Sequence, residues 1–200
     1  MRELSLRKGK ALVVVAHPDD ETIWMGGTML KHPRINWTIF SLSRKDDPDR
    51  APKFRKVAGY YKARGIISDL EDNGIMNIKA SVPEIEKRLL SKIGKQHFTY
   101  LFTHDYNGEY GHPRHKGVHL ALRKLIKEKK LSADEIFYFS YYLVPGKNFC
   151  VPNRKSPFRI SLALNIFKAK QNVVEKLYGF KKDSFEYRSS AQIETFNQRN

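Results

Sequence analysis

Strand-length apolar runs separated by helix-length amphipathic stretches constrain this chain more than any other feature of its sequence. ALVVVA (11–16), NWTIFSL (36–42), IISDL (66–70), TYLFTH (99–104) and EIFYFSYYLV (135–144) read as strands, rich in β-branched and aromatic residues. Between them, ETIWMGGTMLKH (21–32), RKVAGYYKARG (55–65), VPEIEKRLLSKI (82–93) and HKGVHLALRKLIKEKK (115–130) read as helices. Pro83 suits a first helical turn and Gly65 a helix stop. Apolar strands alternating with helices predict an α/β fold: a three-layer, Rossmann-like, mostly parallel sheet with helices on both faces. RKDDPDRAPKF (44–54) reads as a polar loop, and FKAKQNVVEKLYGF (167–180) as a final helix. No linker-like or repeated stretch divides the 200 residues, so the expectation is one domain over 1–200, with 145–200 packed on it.

Bulk properties narrow the functional classes. No apolar run approaches the roughly 20 residues of a membrane span, and no apolar segment follows the charged MRELSLRKGK. One cysteine, Cys150, cannot form an internal disulfide, which fits a cytoplasmic protein. The charge is unusual: 37 Lys and Arg against 21 Asp and Glu give +16, and residues 142–182 hold nine basic residues against Glu175 alone. Such a segment attracts phosphates, although a solvated basic face explains it equally well. Nucleic-acid binding is therefore an alternative reading, but no RNA-recognition or helix-turn-helix signature supports it.

In an open parallel sheet, ligands bind beyond the carboxyl ends of the strands. Two loops there are loaded with polar groups, HPDDE (17–21) and DYNGEYGHPRH (105–115). In the first, His17 and Asp20 can converge on one cation, with Asp19 beside them as a supporting group or a base. Helix capping by Asp20, with Glu21 favoured in the first turn, is the competing reading and explains one acid but not the histidine. In the second, His112 and His115 flank the rigid Pro113. His17, Asp20 and one loop histidine would make three N/O ligands with a fourth position open, the pattern of a catalytic zinc; iron(II) suits the same donors. Gly26 and Gly27 inside a helix suggest close approach of a backbone or ligand.

The combination AHPDDE (16–21), Gly26–Gly27 and GHPRH (111–115) closely resembles the PIG-L/LmbE-like family of zinc-dependent N-deacetylases, over residues 11 to 125. The resemblance implies that His17, Asp20 and His115 hold the metal and that Asp19 is the general base. It makes His112, protonated, the group that stabilises the oxyanion and protonates the leaving amine. The implied substrate is an N-acetylglucosamine-type amino sugar or conjugate, with a phosphate-bearing amino sugar suggested by the charge. Another amide conjugate is the alternative within the same chemistry. Arg44, Arg55, Glu109 and Tyr110 are candidates to line the substrate pocket.

The chain departs from the family pattern in two motifs. Arg114 stands where members often carry an aspartate between the two histidines, which puts the tuning of His112 in question. Arg55 matches the first residue of a common R-x-x-E pattern, but Ala58 replaces its acid. His104, at the end of a strand, reads as a core or supporting histidine, and His32, His97 and His119 as structural.

Overall fold

In β2 (Lys10–Val15) the pleat sorts consecutive residues between two cores: Val13 and Val15 join one, Leu12 and Val14 the other. This central strand belongs to a computed structural model that describes residues 1–198. Its neighbours β3 (Asn36–Ser43) and β5 (His97–His104) pair with it in parallel, and β4 (Arg64–Leu70) and β6 (Ser132–Phe139) extend the parallel run on either side. Three further strands complete an eight-stranded sheet: β1 (Arg2–Glu3), β9 (Phe158–Ser161) and β10 (Ile193–Gln198). The order is β1-β9-β10-β6-β5-β2-β3-β4, with β10 antiparallel to both β6 and β9. The α/β, mostly parallel architecture is as expected; the added edge comes from short strands without a long apolar run.

Helices cover both faces. On one side α1 (Asp20–Lys31) and α2 (Arg50–Tyr60) bury Trp24, Met29, Phe54 and Val57 against the sheet. On the other, α3 (Ile78–Ile93) and α5 (Pro113–Lys127) bury Ile85, Leu89, Val118, Leu122 and Leu125. Gly117 brings these two helices together, since a Cβ there would lie 2.6 Å from the Ser81 hydroxyl. Between β5 and α5 stands the four-residue α4 (Gly108–Gly111).

Several boundaries differ from the sequence reading: α2 ends at Tyr60 and Gly65 lies within β4 rather than stopping a helix, and α3 begins at Ile78, ahead of Pro83. Helix α2 begins at Arg50, inside the stretch read as a loop, because the Asp47 carboxylate accepts the backbone N–H of Asp49 and of Arg50 and so closes the turn ahead of the helix. The run 135–144 is two strands, not one. It breaks at Ser140, whose N–H donates to the Thr195 carbonyl, and continues as β7 (Tyr141–Leu143) in a separate ribbon with β8 (Cys150–Pro152). The final helix is α6 (Leu164–Asn172), continued by a π-helical turn (Val173–Leu177) and followed by the short α7 (Phe185–Ser189).

The Gly26–Gly27 pair receives neighbouring side chains. A Cβ on Gly26 would meet the Tyr61 hydroxyl at 2.6 Å, and one on Gly27 would meet Leu162 Cδ1 at 2.2 Å. Helix α1 is kinked at Met25 (φ −149°), which frees the amides beyond it. Gly27 and Thr28 donate those N–H groups to the Glu194 carboxylate at 2.8 and 2.7 Å, and the Thr28 hydroxyl adds a third bond at 2.6 Å. The carboxylate thus caps a second helix start inside α1. Its charge is balanced by Lys170, 2.7 Å away and equally buried, so Lys170 is not part of the basic surface suggested by the 142–182 composition.

Removing one partner of this pair strands a buried charge. Lys170→Met is expected to destabilise the fold by about 3–5 kcal/mol in chemical denaturation. Adding Glu194→Gln to it should restore most of the loss; a double variant no more stable than the single one would show that the pair does not act as a unit.

Candidate metal centre

The chain reverses its sheet order between β2 and β5: β3 and β4 lie to one side and β6 to the other. The loops leaving these two strands diverge there and open a crevice at their carboxyl ends. The β2 loop carries His17, Asp19 and Asp20; the β5 loop and the start of α5 carry Glu109, Tyr110, His112 and His115.

Three lone pairs converge in that crevice. His17 Nδ1 lies 3.2 Å from Asp20 Oδ2, Asp20 Oδ2 lies 3.4 Å from His115 Nε2, and His115 Nε2 lies 3.4 Å from His17 Nδ1. An ion with tetrahedral bonds of about 2.0–2.1 Å separates its ligands by about 3.3–3.4 Å. The triangle therefore has the dimensions of one face of a tetrahedral site, and the donor set of two imidazoles and a carboxylate suits zinc or iron(II).

The tautomers follow from the surrounding bonds. His17 Nε2 faces Asp72 Oδ1 at 3.0 Å, and a carboxylate can only accept, so Nε2 keeps the proton of the neutral ring and Nδ1 is the nitrogen that would ligate. His115 Nδ1 donates to Glu109 Oε2 at 2.5 Å, so in its neutral ring Nε2 is the bare nitrogen. The backbone N–H of Ala16 donates to His104 Nε2 at 3.0 Å, so His104 Nδ1 donates to the same Glu109 oxygen at 2.8 Å. His104 and His115 stack with ring centroids 3.8 Å apart, bridged by one carboxylate. Asp20 is held in turn by the Trp24 indole N–H at 2.9 Å and the His17 backbone N–H at 2.9 Å. Outer partners of this kind fix ring orientation and raise ligand basicity.

Charge and burial agree with a cation-binding role. Burial opposes a charged His17, yet Asp20 and Asp72 outweigh it and raise the imidazole to about 10. His115 behaves alike: burial lowers it, and Asp20 with Glu109 brings it to about 9. Burial also opposes the Glu109 carboxylate, but His104 and His115 hold it at about 2. Without an ion the crevice holds protons in the ion's place.

Asp19 sits beside the triangle in a strained conformation, φ 120°, outside the usual range of non-glycine residues. Glu21 stabilises that turn. It is fully buried, accepts the Asp19 N–H at 3.1 Å, and is itself held by the Thr22 and Tyr178 hydroxyls at 2.7 and 2.8 Å. Glu21 is thus not a simple helix-opening acid. Burial and the Asp20 charge push the Asp19 carboxyl well above its ordinary range, and Arg50 pairs with it at 3.1 Å.

The surroundings of His112 in the ion-free crevice work against the protonated form expected of it. The Arg114 backbone N–H donates to His112 Nδ1 at 3.2 Å, so a neutral ring carries its proton on Nε2. Burial and the neighbouring charges of His115 and His17 depress it to about 3, which makes His112 a neutral N–H donor. The Arg114 side chain does not touch this ring. It is buried, donates to the Met76 carbonyl at 2.8 Å and to Glu71 at 2.5 Å, and its Nε lies 4.0 Å from Asp72.

The pocket has a volume of about 250 Å³. His17, Asp19, Asp20 and His112 stand on one side, and Ile23, Tyr110 and Phe185 give an apolar wall, with the Tyr110 and Phe185 rings 4.7 Å apart. Arg44 lines it, paired with Asp72 at 3.0 Å. Two expected pocket residues do not line it. Arg55 is exposed on α2, and Arg50, five residues earlier at the start of the helix, lines the pocket instead; Glu109 lies wholly buried behind His104 and His115. The sequence reading also missed Asp72, Phe185 and Glu186 as lining residues. Asp72 was findable, since EDN (71–73) follows a parallel strand, whereas α7 carries no recognisable motif. His32, His97 and His119 lie outside the pocket lining.

An α/β sheet with a histidine–carboxylate cluster and a further acidic side chain at its switch point defines the class: a fold whose crevice gathers the donors that one metal ion would need. The chain belongs to the PIG-L family, described as GlcNAc-PI de-N-acetylase, whose profile matches residues 12–126. It is 27% identical over 165 residues to the 1D-myo-inositol 2-acetamido-2-deoxy-alpha-D-glucopyranoside deacetylase of Streptomyces scabiei, covering 64% of this chain and 50% of that protein. The chain spans about half the length of the curated relatives it matches. The N,N'-diacetylchitobiose deacetylase of Pyrococcus horikoshii shares the fold at 14% identity with TM-score 0.67, covering 95% of this chain and 83% of that one. The 4-carboxy-2-hydroxymuconate hydratase GalB of Pseudomonas putida also shares it at 14% identity, with TM-score 0.66 and coverage of 97% of both chains. Deacetylase and hydratase chemistry thus occur on one fold, and the fold alone does not choose between them.

Glu109 is expected to act through the metal ligand. Glu109→Gln should weaken zinc binding about 10–100-fold in a competitive chelator titration, with the fold retained. Unchanged affinity would remove Glu109 from that role. Metal binding also displaces the protons on His17 and His115. Their raised pKa values stabilise the ion-free fold fully below about 6.5, and that contribution is lost as pH rises through about 9 and 10. The thermal stabilisation on adding zinc should therefore be larger at pH 8.5 than at pH 6.5, measured by differential scanning fluorimetry.

Proposed function

We propose that this protein is a metal-dependent hydrolase that removes the N-acetyl group of an acetylated amino sugar or sugar conjugate. The observation that carries the reading is the His17–Asp20–His115 triangle with the Asp19 carboxylate beside it. Zinc, or iron(II), held by those three residues would supply a Lewis acid and lower the pKa of a coordinated water toward about 7. Asp19 takes a proton from the water that attacks the acetamide carbonyl, and its raised pKa suits it to keep that proton. His112 donates its Nε2–H toward the carbonyl oxygen as negative charge develops there. Asp19 then returns the proton to the departing nitrogen as the C–N bond breaks, so that acetamide and water become acetate and a free amine. Tyr110, Ile23 and Phe185 supply an apolar wall for one face of a sugar ring.

An N-acetylglucosamine-type substrate is supported by the family match and by the deacetylase relatives. Another amide conjugate is the alternative at the same centre. No helix among the described residues is long and apolar enough to cross a membrane. The lone buried Cys150 supports a cytoplasmic location. The β9 and β10 pairings support reading 1–200 as one domain.

Two variants separate binding from turnover. His17→Ala should lose the metal, measured by elemental analysis of the purified protein. Asp19→Asn should keep it and lose about 10²–10⁴-fold in kcat for acetate release from an acetamidosugar. Near-normal kcat in Asp19→Asn would remove it as the base, and an absence of amine release from any acetamidosugar by metal-loaded protein would overturn the function.

A further inference from the structure

The charges lining the pocket are not those of the molecule as a whole. The chain carries +16, yet its pocket presents Asp19, Asp20, Asp72 and Glu186 against Arg44 and Arg50. Five of these six are already engaged. Asp20 belongs to the ligand triangle, and Arg50 pairs with Asp19 while its guanidinium lies 4.4 Å from the Phe180 ring centroid. Asp72 accepts from His17 and from Arg44, and Arg44 also lies 3.8 Å from Asp47. Glu186 is different. It is half-buried in the first turn of α7, and among the described residues no hydrogen bond or ion pair engages its carboxylate.

An incoming phosphate would find no unpaired cation on this lining and would share each arginine with the carboxylate already bound to it, Asp72 on Arg44 and Asp19 on Arg50. An incoming ammonium group would find a free carboxylate. The basic residues of 142–182 do not alter this balance, because none of them lines the pocket and Lys170 is buried against Glu194. At about 250 Å³ the cavity is small for a ligand site, and Glu186 forms part of the wall contributed by the C-terminal region, beside the ring of Phe185.

Resting on the deacetylase reading, we propose that Glu186 is a specificity-determining residue that receives a cationic amine of the substrate. The preferred substrates are then amino sugars carrying one N-acetyl group for removal and a free ammonium group elsewhere. They are preferred over fully acetylated or phosphate-bearing counterparts. A hydrogen bond to a charged donor is stronger than one to a neutral hydroxyl, which sets the direction of the preference.

The test compares zinc-loaded wild type with Glu186→Gln on three probes: mono-N-acetylated chitobiose, N,N'-diacetylchitobiose and N-acetylglucosamine 6-phosphate. Wild type should favour the amine-bearing disaccharide in kcat/KM, mainly through KM. Glu186→Gln should reduce that preference about five- to tenfold, an effect that 0.5 M salt reproduces in the wild type by screening. Equal discrimination in both proteins, or a wild-type preference for the phosphate, would overturn the proposal. Calorimetric binding of fully deacetylated chitobiose, which needs no turnover, separates the two readings. Glu186-dependent binding without amine release from any probe would overturn the deacetylase function but not the ammonium subsite. Amine release with binding that is indifferent to Glu186→Gln would do the reverse.

Discussion

One carboxylate under two imidazoles sets the geometry of this site. Glu109 Oε2 accepts from both His104 and His115, and each bond decides which ring nitrogen is left bare. Its backbone is held at φ 56°, between Gly108 and Gly111, both also at positive φ. That short, strained turn is what directs a fully buried acid back beneath the strand end. Strain at such a position persists only where the surroundings over-determine it, and here they do: the Asp105 N–H and two histidines hold the same side chain.

The rest of the centre gathers like charges that a cation would balance. Asp19, Asp20 and Asp72 crowd around His17, and the bonds that orient the ring also make it hold a proton when no ion is bound. The polar cluster persists because every acid has a partner: Trp24 for Asp20, Arg50 for Asp19, Arg44 for Asp72. His112 is the exception in character. Burial and the charges of His115 and His17 outweigh Asp20 and Asp72 and disfavour a second proton on it, and its backbone-bonded Nδ1 leaves a single N–H to offer.

Much of the fold was legible because its signals are local. Buried parallel strands have to be apolar on both faces, and ALVVVA and TYLFTH say so directly. Adjacent motifs were legible for the same reason, since HPDDE and GHPRH each compress several functional groups into one turn. What escaped was non-local. Arg50 replaces Arg55 because Asp47 closes a turn five residues earlier than composition suggested. Asp72 reaches His17 across 55 positions, and Phe185 and Glu186 arrive from a five-residue helix with no periodicity to read. The second face of Glu194, as cap to a helix start hidden inside α1, depends on a kink that no residue type announces.

The bond between Tyr178 and Glu21 links parts of the chain that would otherwise look unrelated. Glu21 steadies the backbone of Asp19, and Tyr178 lies far outside the residues that the family profile matches. The Asp19 turn is therefore braced from the opposite end of the polypeptide. A shortened chain could carry every residue of both motifs and its five parallel strands, and still lack the clamp that holds the Asp19 backbone. Divergence in the C-terminal third would then reset the position of that carboxylate as well as the outline of the pocket, and relatives sharing the motifs could differ there for reasons invisible at the motifs.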